Sequence, residues 1–155
     1  MGGPQWAAGP RHVHRLQEER FEVLGGRIRS HVAGEERSHG PGDVLTVPPG
    51  AVHTVWSDGD DDARLLVEFR PALRSEQVLE TLAALAAEGR TRRNGVPRNL
   101  LQLALIVHDY EDELYLARPP LAVQRAVFGP LARLGRRRGH PSELAFPART
   151  APQPA

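Results

Sequence analysis

The sequence predicts a mainly β protein, an antiparallel sandwich or barrel, followed by about three α-helices. Three observations carry this. Up to Pro71 the chain is a series of short apolar runs broken by Gly, Pro and Asp turns. Within one of those runs, Ile28, Ser30 and Val32 alternate with Arg27, Arg29 and His31, the period of a half-buried strand. Beyond Pro71 the apolar residues recur at helical spacing instead. With 155 residues the chain suits one domain and a small appendage. The reading divides it into a flexible N-terminus over 1–10, a β core over 11–71, a helical extension over 72–138 and a disordered tail over 139–155.

In the β core, "RFEVL" runs into Gly25-Gly26 and "RIRSHV" into the turn "AGEE". "GPGD" precedes "VLTV", which runs into Pro48-Pro49-Gly50. "AVHTVW" ends at "SDGDDD", and "ARLLVEF" ends at Pro71. Each break is Gly-, Pro- or Asp-rich, as tight connections require. In the extension, "SEQVLETLAALAAEG" reads as a helix with Ser75 as N-cap and Gly89 as its stop. Val78, Leu79, Leu82, Leu85 and Ala86 form its apolar stripe. "NLLQLALIVHDYEDEL" reads as a second helix. Pro119-Pro120 opens a third, "LAVQRAVFGPLARLGRRR", in which Pro130 is expected to cause a kink or break. Leu121, Phe128, Leu131 and Leu134 give that helix an apolar stripe expected to pack on the barrel. From Gly139 onward Pro, Ala and Arg dominate, a composition that predicts disorder.

Composition narrows the function. The net charge of +1 gives no general attraction to nucleic acid or anionic membranes. The absence of cysteine excludes disulfides, zinc–thiolate sites and cysteine nucleophiles. No apolar run reaches the ~18 residues of a membrane span, and "MGGPQWAAGP" lacks the pattern of a signal peptide. The expected location is the cytoplasm. There is no Gly-rich phosphate loop, and Trp6 and Trp56 are too scattered for a base-stacking platform. His31, His39, His108 and His140 have no ligand-like spacing and are expected at the surface. "SDGDDD" lacks the spacing of a calcium loop and reads as a solvated turn.

Four residues stand out. His12 and His14 are two apart, so an extended strand points both to one face. Glu19 shares the parity of Phe21 and Val23, which places a carboxylate on the apolar face, a costly position unless something pairs it. Glu18 and Glu22 have the opposite parity and are expected to face solvent. His53 has the parity of Val55 in an apolar strand. Alone, each has an ordinary structural explanation.

Together they resemble the two motifs of the cupin superfamily. His12, His14, Glu19 and Gly26 stand at the spacings of the first motif, and Gly42, Pro48, Gly50 and His53 at those of the second. Glu18 with Gly25 also fits the first motif, and parity decides for Glu19. Ser57 stands where the second motif closes with Asn. The extension also resembles the tail of some bacterial cupin-domain proteins. The resemblance implies a double-stranded β-helix, a jelly-roll barrel, with His12, His14, Glu19 and His53 ligating one divalent metal ion (Mn, Fe, Ni, Co or Zn). It also implies a small-molecule ligand inside the barrel. Phe21 and Val23 of the first strand, Leu45 and Val47, Val55, and Leu65, Val67 and Phe69 of the last are candidates for the core or pocket lining. Only eleven residues precede His12, which predicts an open barrel edge needing upstream residues or a partner, hence a homodimer. Three readings stay open: a metal-dependent enzyme of unknown reaction, a non-catalytic ligand-binding or sensing module, and a metal-free truncated barrel.

Overall fold

A computed structural model of the chain describes residues 9–59 and 62–145. Most of the expected flexible start, most of the expected disordered tail, Trp6, and Asp60 and Asp61 of the acidic turn lie outside the described residues. Seven strands come first: β1 His12–Val13, β2 Glu18–Gly25, β3 Ile28–Val32, β4 Glu35–His39, β5 Val44–Val47, β6 His53–Ser57 and β7 Arg64–Arg70. Then come α1 Ser75–Ala87, α2 Leu100–Asp109, a short β8 Tyr115–Leu116 and α3 Leu121–Arg137. All strand pairs are antiparallel, in one sheet ordered β4-β3-β6-β1-β8 and another ordered β5-β2-β7.

The core lies where the two sheets face each other. Phe21 and Val23 of β2 and Val47 of β5 meet Ile28 of β3 and Val55 of β6. The alternation in the sequence explains this directly: in β2, Glu19, Phe21 and Val23 are buried while their neighbours are not. The turn after β2 has a steric requirement. Gly26 has φ +72°, and a Cβ there would lie 2.6 Å from the Asp62 carbonyl oxygen. Only glycine fits so close to another backbone stretch.

The helices form a second cluster in which Val78 and Leu85 of α1 pack with Ile106 and Tyr110. The Arg74 guanidinium lies 4.7 Å from the centre of the Tyr110 ring. Ser75 is the first helical residue rather than the N-cap; Arg74 holds the cap position and makes no side-chain capping bond. The Ser75 hydroxyl instead accepts a bond from the Gln17 amide at 2.7 Å. Helix α2 starts at an Asn99 cap, whose side chain accepts from the backbone of Leu101 and Gln102. It ends at Asp109, five residues before the expected end at Leu114, because the chain turns at Tyr110 and returns to the sheet as β8.

Pro130 does not break α3. The buried Gly129, Ala132 and Gly135 share one face of α3 and let it lie close against α2, so tertiary packing outweighs the local cost of ~3 kcal/mol. The expected packing of α3 on the barrel is corrected accordingly: its partner is α2, and Leu134 is exposed. The described part of the expected tail, residues 139–145, packs against the helices. Leu144 packs on the helical cluster, its N–H donates to the Thr81 hydroxyl, and the Gln102 amide donates to the Pro141 carbonyl.

The edge of β1 is closed from within the chain. Val13 pairs with Tyr115 and His12 with Leu116, and the Ala117 N–H donates to the Arg11 carbonyl at 2.9 Å. The helical extension therefore supplies a strand. Gln124, fully buried on α3, holds that strand: its amide donates to the carbonyls of Leu116 at 2.7 Å and Pro119 at 2.6 Å, and its oxygen accepts from the Leu116 N–H at 3.2 Å. Replacing Gln124 by Met should leave three backbone groups without partners and lower unfolding stability by about 2–4 kcal/mol. Urea denaturation of the two proteins measures this.

Candidate metal centre

Backbone pairing brings the four singled-out residues together. His12 and His53 are cross-strand partners in the β1–β6 pair. The Gly50 N–H donates to the His14 carbonyl at 2.9 Å, tying the Pro-Pro-Gly turn to the histidine segment. Glu19 enters from the other sheet, between Val47 and Phe69 in register. One donor atom from each of His12, His14, Glu19 and His53 lies within 4.8 Å of the others. Ring centres are 4.3 Å apart for His12 and His53, and 5.1 Å for His14 and His53. His14, Glu19 and His53 are buried.

The orientation of each ring follows from its other nitrogen. His12 Nδ1 lies 2.9 Å from the Pro10 carbonyl oxygen, His14 Nδ1 2.6 Å from that of Glu113, and His53 Nδ1 3.0 Å from that of Ala51. A carbonyl oxygen only accepts, so each Nδ1 carries the hydrogen and donates it. In a neutral ring this leaves Nε2 with a lone pair. Glu19 Oε2 lies 2.8 Å from His53 Nε2 and 3.2 Å from His14 Nε2. Acceptors this close repel unless a proton or a metal cation lies among them.

The electrostatics point the same way. Burial, reinforced by the neighbouring His53 and His14, pushes the His12 imidazole down to about 4, so its ring is neutral at pH 7. Burial alone would raise the Glu19 carboxyl; a proton on the Nε2 of His14 and His53 would outweigh this by hydrogen bonding and charge and hold it at about 2, and a metal cation would favour the carboxylate in the same way. Buried nitrogen donors and one ionised carboxylate suit a divalent transition metal. The distances suit one too. Donors at right angles on an ion with bonds of about 2.1 Å lie roughly 3 Å apart. Glu19 stands at about that distance from two of the rings.

Beside this cluster lies a cavity of about 340 Å³. Phe21, Val55 and Phe69 line its barrel side. Val23 and Val47 are buried in the sheet core, with Leu45, Leu65 and Val67 packed against it. The opposite wall comes from the helical extension: Val78, Leu82 and Ala83 of α1 and Leu103, Ile106 and Val107 of α2. The other histidines are dispersed. His108 is exposed, whereas His39 bonds to the Ser30 hydroxyl at 2.8 Å instead of being free in solvent.

Comparison with known proteins agrees with the fold of the strand half. The model of the family described as "Cupin domain" matches residues 3–69. Residues 3–69 are a cupin domain. Among solved structures, the TT1209 protein of Thermus thermophilus is 31% identical over 41% of this chain and 65% of that one, with a TM-score of 0.37. A sugar phosphate isomerase from a cupin superfamily, from Silicibacter pomeroyi, is 28% identical over 39% of this chain and 40% of that one, with a TM-score of 0.37. The Cnp3 cupin domain of Schizosaccharomyces pombe is 19% identical over 48% and 56%, with a TM-score of 0.40. The chain thus matches 40% to 65% of the length of these structures. No curated protein matches the chain. Among the described residues no helix is long and apolar enough to cross a membrane.

Two residues near the four-residue cluster were not singled out from the sequence: Glu113 of the helical extension and Gln17 of the strand half. Glu113 is 3% exposed, and its carbonyl orients His14 from 99 residues away. Its carboxylate accepts from the Arg74 Nε at 2.9 Å and the Arg74 backbone N–H at 3.2 Å. Gln17, also buried, holds the chain after β7 through the Pro71 and Ala72 carbonyls. No local signal separates Glu113 from the other acidic residues of "YEDEL"; only its place against β1 does. Arg74→Ala should strand the buried Glu113 carboxylate and cost about 2 kcal/mol, less than the 3–5 of a fully buried pair because Arg74 is half-exposed. The double variant Arg74→Ala/Glu113→Gln should recover most of that loss in thermal unfolding.

Proposed function

We propose that His12, His14, Glu19 and His53 hold one divalent transition-metal ion, and that the adjoining cavity receives a small organic molecule. The observation that carries this is Glu19 Oε2 facing two histidine Nε2 atoms at 2.8 and 3.2 Å while their Nδ1 atoms point at backbone carbonyls. A cation among these atoms turns a repulsive cluster into a coordination set. Such an ion supplies Lewis acidity, and open positions, to a ligand oxygen. The chain's own groups do the rest. The carbonyls of Pro10, Glu113 and Ala51 hold the rings in one orientation. Glu19 offsets one of the two positive charges. Phe21, Val55 and Phe69 keep water from the buried side.

A second reading, ligand binding or sensing without turnover, has its own support. Among the described lining residues, the acids and imidazoles outside the four-residue cluster reduce to Glu113, whose carboxylate is held by Arg74. No separate group stands ready to move a proton. Turnover of a bound molecule by the metal-loaded protein separates the two readings.

Elemental analysis of protein purified without chelators should find up to one Mn, Fe, Ni, Co or Zn per chain. Adding the preferred metal at a hundred times its Kd should raise stability by about 2.7 kcal/mol. Protein that arrives metal-free and takes up none of these ions contradicts the proposal. His53→Ala should weaken metal binding at least tenfold, whereas His108→Ala, an exposed position outside the cluster, should leave it unchanged. Equal affinities for the two variants would remove His53 from the ligand set.

A further inference from the structure

Polarity is distributed very unevenly around the cavity. Its polar lining side chains are the four cluster residues, Ser75 and Glu113. Ser75 is engaged by Gln17, and Glu113 by Arg74. Among the described residues no Arg, Asn or Gln lines it. The other lining side chains are hydrocarbon and aromatic, with Phe21 and Phe69 on the barrel side and residues such as Val78, Leu82, Leu103 and Ile106 on the helical side, beside backbone at Gly9 and Gly95.

From this we infer that the ligand is a largely apolar molecule carrying a single anionic, chelating oxygen head. The inference rests on the metal reading above. A sugar or sugar phosphate needs hydrogen-bond partners along its whole length and a cation for its phosphate. Buried here, most hydroxyls beyond the head would meet carbon, at a cost of several-fold to a hundred-fold in affinity each. A metal with one carboxylate ligand keeps one net positive charge. That charge matches one carboxylate or enolate, not a phosphate dianion. A cavity of about 340 Å³ lies at the small end of ordinary ligand pockets, so a small organic molecule fits. Pockets of this size and lining use few polar groups to orient what the apolar walls hold. The helical wall thus selects for a hydrocarbon body, and the metal end for the head.

The test compares two probes on the full chain: benzoylacetone, an enolisable aromatic diketone, and ribose 5-phosphate, of similar size. Protein loaded with cobalt(II) is titrated with each, by calorimetry and by the visible spectrum of the metal, and the metal content of the same preparation is measured. Benzoylacetone should bind at least tenfold more tightly and perturb the cobalt spectrum. Ala83→Leu, which fills the helical wall, should weaken benzoylacetone at least tenfold with the metal content unchanged. Ala86→Leu, one turn further along α1, provides a second variant should the first fold poorly. Equal or tighter binding of ribose 5-phosphate, or indifference of both wall variants, would overturn the inference while leaving the metal reading intact. If the protein takes no metal, the metal reading fails, and the same titrations on metal-free protein still decide the cavity's preference. Benzoylacetone ahead of ribose 5-phosphate supports an apolar body there, and no preference overturns it.

Discussion

Two residues, His12 and Val13, hold the two halves of this chain together. As β1 they pair with β6 on one side and with β8 on the other. The first pairing sets His12 opposite His53 and so builds half of the candidate metal centre. The second brings the segment around Glu113 against His14 and draws α1 and α2 over the cavity. A two-residue strand has few hydrogen bonds of its own, so its position depends on both neighbours. Gln124, Gln17 and Glu113 are all buried polar groups that fasten the extension to this place. Buried amides and carboxylates are kept only where their partners are well placed: Gln17 reaches from the strand half to the start of α1, Gln124 ties β8 to α3, and the Glu113 carboxylate is held by Arg74.

The same junction explains the shape of the site. The sheets alone would surround the four-residue cluster on one side only. The helical extension closes the other side with apolar side chains and contributes one backbone carbonyl, that of Glu113, to the orientation of His14. Charge is thus gathered at one pole and excluded from the rest. In a low-dielectric cavity this arrangement strengthens polar interactions at the four-residue cluster, because little else in the lining is polar.

Much of the barrel half was legible in the sequence. Alternation placed Phe21, Val23 and Val55 in the core, and parity chose Glu19 over Glu18 as the inward carboxylate. Both signals are local, since strand geometry sends successive side chains to opposite faces. The helices were legible as elements but not in their ends or partners. Ser75 looked like a cap but faces Gln17, which lies 58 residues away. The run ending at Leu114 looked like continuous helix, yet Tyr110 turns into the helical cluster and the chain leaves as a strand. Pro130 promised a break, and three small buried residues on one face of α3 overrode it.

What the sequence by itself determined is the set of side chains that share a face: the inward glutamate, the histidine pair, the histidine beside Val55, and the glycine that only a tight turn admits. These follow from backbone geometry over a few residues and need no knowledge of the rest of the chain. Tertiary structure alone decided what closes the edge of β1, which carbonyl turns the His14 ring, and what forms the second wall of the cavity. Those contacts join residues far apart in the chain, and their stability comes from desolvation and hydrogen bonds that exist only once both halves are in place.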